Sequence, residues 1–123
     1  MAALVKAVSP SVKVFKPGDG VAPGITSVAI KGHTPGHVGY QIVSGSKRLL
    51  DFGDTAHSSI VSLAKPDWPV GFDNDQKEAE TSRRQMLTQL AKDQELIFAP
   101  HFPFPGVGHI VADGDHFAWQ PQK

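Results

Sequence analysis

Histidine and aspartate are the residues of this chain best suited to chemistry. His33, His37, Asp54, His57, His101 and His109 fall in or beside stretches broken by glycine and proline. Loops at the ends of strands are where folds usually carry their chemistry. Neutral imidazole and carboxylate are the ligand set of zinc, and iron, manganese or cobalt suit the same donors. The stretch KGHTPGHVGY, residues 31–40, is built to present such a ligand. Gly36, lacking a Cβ, lets the backbone turn sharply so that His37 can point back toward a site. Pro35 fixes its own φ and keeps Thr34 extended, which stiffens the loop. Gly53 can likewise aim Asp54 from a strand terminus. Taken singly, each piece also reads as ordinary turn chemistry: HTPGH as a tight turn with surface histidines, Gly-Asp as a common turn pair. Their order and spacing along one chain carry the metal reading.

The elements that must position these residues are mostly strands. SVKVF (11–15) alternates Val12 and Val14 against Lys13, which predicts a strand, and KPGDGVAPG (16–24) reads as turns. Residues 1–24 thus form an N-terminal strand and turn segment ahead of a domain over 25–123. ITSVAIK (25–31) is β-branched, with Thr26, Val28 and Ile30 on one face. GYQIVS (39–44) and KRLLDF (47–52) predict a hairpin turning at Ser44-Gly45-Ser46. DQKEAETSRRQMLTQLAKDQ (75–94) places Ala79, Met86, Leu87, Leu90 and Ala91 at helical spacing, and Asp75 with Glu78 resembles a capping box. ELIFA (95–99) reads as a buried strand, HFPFPGVGH (101–109) as a stiff loop. HIVADGDHFAWQ (109–120) reads as a hairpin turning at Asp113-Gly114-Asp115. One helix among about six strands predicts an α/β (α+β) fold, a single sheet layer covered on one face.

Bulk properties remove several classes. A chain of 123 residues with zero formal net charge suits one globular domain. It lacks the basic footprint of a nucleic-acid binder. Cysteine is absent, so thiolate and disulfide chemistry are excluded. MAALVKAVSP lacks the basic start of a signal peptide, and no apolar run approaches membrane-spanning length. The expectation is a soluble chain of open localisation, with neither nucleic acid nor membrane as partner.

GHTPGHVGY, LLDFGDTAH and FAPHFPFPGVGH, in that order, resemble the C-terminal half of a metallo-β-lactamase-fold hydrolase. GFDNDQKEAETSRRQML followed by HFPFPGVGHI is similar to the methyl parathion hydrolase and lactonase-like branch. The resemblance runs from about residue 20 to the end. It implies half of an αββα sandwich. It makes His37 a metal ligand, Asp54 the catalytic carboxylate bridging two metals, and His101 a ligand of the second metal. His33 falls where a histidine supports the loop. His57 and His109 fall near the site, and Phe102 and Phe104 either line an apolar pocket or simply pack the loop. The HxHxDH motif of that family is absent: no histidine precedes His33, and residues 1–32 hold one acid, Asp19.

The chemistry implied is hydrolysis of an ester, lactone or phosphotriester by water activated between two zinc ions. With only His37, Asp54 and His101 as ligands, the chain is expected to be weakly active or inactive unless an HxHxDH-bearing half complements it. The alternative is a non-catalytic metal-binding or assembly module retaining half of the fold. A half sandwich also leaves an apolar sheet face bare. The partners expected are a second copy pairing through that face, or a separate chain carrying the N-terminal half, together with a small-molecule substrate.

Overall fold

The computed structural model describes residues 2–123. A short helix, α1 (Ala2–Val8), opens the chain, and a 3-10 turn over Ser9–Ser11 follows it at Pro10. The strand expected over residues 11–15 does not form. That segment runs without a ladder partner, and Val14 is 94% exposed. Its alternation satisfies the local requirement for a strand, but the backbone that follows is bonded elsewhere. Ser27, itself buried, receives the amide of Gly18 and donates its hydroxyl to the carbonyls of Lys16 and Asp19. Phe15 comes to rest against Tyr40, ring centroids 6.4 Å apart. The segment therefore crosses the sheet instead of joining it.

Seven strands form one sheet in chain order: β1 (Gly20–Ala22), β2 (Ile25–Ala29), β3 (Val38–Ser44), β4 (Lys47–Asp51), β5 (Ile97–Phe98), β6 (Val107–Asp113) and β7 (His116–Pro121). Every neighbouring pair is antiparallel except β4 and β5. That parallel pair needs a crossover, which α2 (Val61–Ala64) and α3 (Gln76–Asp93) provide. The two expected hairpins form, closing at Ser44↔Lys47 and Asp113↔His116. The expected ELIFA strand shrinks to Ile97–Phe98, because the chain turns away at Ala99 to begin a loop.

Helix α3 lies within its expected limits. The Asp75 side chain accepts the Glu78 amide at 3.0 Å. The Asp75 amide does not return to Glu78. It donates to Gly32 O at 2.9 Å, and the Asn74 amide donates to His33 O at 2.8 Å. The start of the helix is thereby pinned to the HTPGH loop. Leu87 and Leu90 bury against a core that includes Leu50, Ile97, Ile110 and Phe117. Together these apolar residues are the main source of stability.

Strand register puts Ile25, Ile42, Leu49, Phe98 and Val107 on the opposite face of the sheet. All five are partly exposed, and among the described residues no helix covers them. No helix of the described residues is long and apolar enough to cross a membrane.

Candidate metal centre

The β2–β3 loop, the turn after β4 and the loop after β5 meet at one end of the sheet. They bring His33, His37, Asp54, His57 and His101 together. Asp54 sits at the centre, in a 3-10 turn over Gly53–Thr55. Its Oδ1 accepts from His101 Nε2 at 2.9 Å, and its Oδ2 lies 3.1 Å from His33 Nε2. Burial pulls the Asp54 carboxyl upward. The hydrogen bond from His101 and the charges of His101, His33 and His57 outweigh that pull, so the net shift is downward from 3.8. Asp54 is held as an anion.

His37 is oriented by backbone on both sides. Its Nδ1 donates to Ile30 O at 2.8 Å, which leaves Nε2 as the lone-pair nitrogen. That nitrogen accepts the Asp54 amide at 3.0 Å. The close approach depends on Gly53, whose φ is +52° and whose missing Cβ would lie 2.7 Å from His37 Nε2.

His57 stacks obliquely between His33 and His101, with ring centroids 5.1 Å and 4.9 Å away. Its Nδ1 is buried without a hydrogen-bond partner. Burial lowers its pKa from 6.5, and the neighbouring His101 and His33 charges lower it further, against the smaller upward pull of Asp54 and Asp73. A neutral imidazole with an unsatisfied buried nitrogen is a metal-ready group.

Two residues beyond the expected set complete the site. Asp73 Oδ1 accepts from His33 Nδ1 at 2.9 Å, and Asp73 Oδ2 pairs with Arg83 Nη2 at 2.9 Å. The Asp73 side chain is 1% exposed and that of Arg83 2%. Arg83 also donates to Thr55 O, Pro66 O and Trp68 O. The signal available in the sequence was its position. Arg83 lies four residues after Ala79 and four before Leu87, inside the apolar stripe of α3.

Other expected residues lie elsewhere. His109 is on β6, donating from Nδ1 to Glu95 O. It shares a surface hollow with Ser46 and Arg48, at the far end of the sheet from Asp54. Phe102 is a core residue, edge-on to Phe52 and Trp119 at 5.8 Å and 5.0 Å. Phe104 is 99% exposed. The aromatic group beside the site is Phe72, 6.0 Å from the His57 ring.

The residues present fit a divalent metal. His33, Asp54 and His57 each offer a ligand atom within 4.8 Å of the others. The donors are those of zinc and its neighbours, and the orphaned His57 nitrogen is what such an ion would satisfy.

No protein-family profile and no curated protein matches the sequence. Solved structures do match. AidC, a dizinc quorum-quenching lactonase, is similar at 30% identity and a TM-score of 0.91, over 98% of this chain and 41% of its own. AbOPH, a hydrolase in the beta lactamase superfamily, is similar at 34% identity and 0.89, over the same shares. A probable metal-dependent hydrolase from Staphylococcus aureus shares the fold at 19% identity and 0.73, over 94% of this chain and 41% of its own. This chain is part of a metallo-β-lactamase fold. It spans about two fifths of the solved chains it matches. As half of that sandwich, its sheet has helices on one face and, among the described residues, none on the other.

Proposed function

We propose that this chain contributes the Asp54 half of the centre of a divalent-metal-dependent hydrolase acting on ester, lactone or phosphotriester bonds of small molecules. The observation that carries the reading is the convergence of His33, His57 and His101 on Asp54, with one buried imidazole nitrogen left unsatisfied. Its likeness to a dizinc lactonase supports zinc as the first choice among divalent ions. A metal bound at such donors supplies activated water and polarises a carbonyl or phosphoryl oxygen. The chain's own residues supply the rest. Asp54 brings a fixed negative charge, His101 holds its Oδ1, and His33 Nε2 faces its Oδ2. His37 is presented by Ile30 O through the correct tautomer, and Phe72 offers an apolar edge to a substrate.

The ligands that the family resemblance implies, His37, Asp54 and His101, are too few for two ions, since an open catalytic zinc takes about three protein ligands of its own, and the grouping of His33 and His57 with Asp54 would by itself serve one ion. The remaining ligands come from the rest of the fold, carried outside these 123 residues and packed on the face formed by Ile42, Leu49 and Phe98. Hydrolysis of a lactone and of a phosphotriester should be measured with the chain alone and with that remainder supplied. The reading predicts turnover in the complemented sample only, abolished by Asp54→Asn. Equal turnover in the Asp54→Asn sample would refute it.

A further inference from the structure

We infer that Arg83 and Asp73 are positioning residues that set the Asp54 carboxylate from two sides. This rests on the metal-centre reading above only for its functional consequence. The geometry stands by itself. Arg83 Nε donates to the carbonyl of Thr55, the residue after Asp54, at 3.0 Å. Through Nη2 the same guanidinium holds Asp73 at 2.9 Å. Asp73 Oδ1 accepts from His33 Nδ1 at 2.9 Å, and His33 turns Nε2 to Asp54 Oδ2 at 3.1 Å. One planar fork thus fixes the backbone beside Asp54 and the imidazole that faces its side chain.

Burial of the pair argues against a casual surface contact. Taking a guanidinium and a carboxylate out of water is costly, so such pairs persist where their geometry is closely matched. Arg83 gives its Nη1 hydrogens to Pro66 O and Trp68 O, leaving little freedom to shift. Asp73 fixes the ring flip and tautomer of His33 in the way outer carboxylates fix metal-binding histidines. The helix that carries Arg83 is anchored to the same loop through Asn74 and Asp75. Helix, loop and turn are therefore held in one register around Asp54.

The test is imidazole ¹H–¹⁵N NMR of the full chain, together with zinc affinity by competition with a chromophoric chelator. Wild-type His33 should carry a proton on Nδ1 protected from solvent exchange. In Asp73→Asn that protection should be lost and zinc affinity should fall about 10- to 100-fold. Asp73→Glu, which keeps a charged acceptor, should retain the protected proton. A wild-type His33 unprotonated at Nδ1 overturns the inference. So does a folded Asp73→Asn chain with unchanged proton and affinity. If Asp73→Asn does not fold, the wild-type and Asp73→Glu spectra decide. If zinc does not bind the wild type, the metal reading fails and the His33 signature still decides this one.

Discussion

Asp54 and His57 show how one cluster holds opposite groups in their ligand forms. The histidines around Asp54 favour its anion, while burial and the same neighbours disfavour a proton on His57. Both pKa values fall, so both groups stay deprotonated to lower pH than they would in an unfolded chain. The sign for stability follows. Between the lowered value of His57 and 6.5 the unfolded chain binds more protons, so this residue's contribution is fully present above 6.5 and is lost as pH falls below it. An NMR titration should place the His57 midpoint below 6.5, and a midpoint at or above 6.5 contradicts the packing described. Gly53→Ala tests the other close approach. A left-handed φ costs a side chain about 1–2 kcal/mol, and the new Cβ would meet His37 Nε2. Urea unfolding should show at least that loss, and an unchanged midpoint would mean that the turn has room to spare. At this scale the meeting of His33, His37, Asp54, His57 and His101 at one end of the sheet was legible because type, order and glycine spacing coincide. Asp73 and Arg83 were not, since a charged pair ten residues apart looks solvated until the fold buries it. His109 was misleading for a related reason. It follows His101 closely in sequence, yet β6 carries it to the far end of the sheet.

Among the elements, α3 does most to connect the core with the site. Its apolar stripe buries Leu87 and Leu90, its one buried cation reaches Asp73, and its first residues bond to the HTPGH loop. Asp75→Ala removes the side-chain acceptor for the Glu78 amide. It should cost about 1 kcal/mol in chemical denaturation. It should also loosen the loop, measured as faster hydrogen exchange at Asn74 and position 75. Exchange unchanged there would mean that the cap acts on the helix alone. The helix and both hairpins were readable because periodicity and turn residues are local signals. The N-terminal strand was misread because alternation reports the capacity to pair. Whether a sheet edge is available to residues 11–15 depends on how Ser27 engages Lys16 and Asp19, a contact 8 to 11 residues away.

For the whole molecule, the decisive feature is a sheet with helices on one face and, among the described residues, only the residue 15–19 segment over Ser27 and Tyr40 on the other. The one-sided helix cover was legible in the sequence, because too few helices were present to cover both sides and the family resemblance supplied the missing layer. What occupies the face was not legible, since partner choice depends on shape and not on pattern. The chain alone should bind a hydrophobic dye or self-associate, as measured by fluorescence and light scattering. Ile42→Glu with Phe98→Glu should suppress both while changing stability by less than about 1 kcal/mol, two surface-sized effects added. Strong destabilisation by that pair would show that the face is already packed within the chain.

The function of this chain turns on metal binding at Asp54. Competition titration of zinc or cobalt against a chelator, on the wild-type chain and on Asp54→Asn, reads this most directly. Saturable binding by the wild type that weakens at least about 100-fold in Asp54→Asn is the result predicted, taking removal of a ligand to cost no less than loss of an outer partner. No saturable binding, or equal binding by both chains, would contradict it.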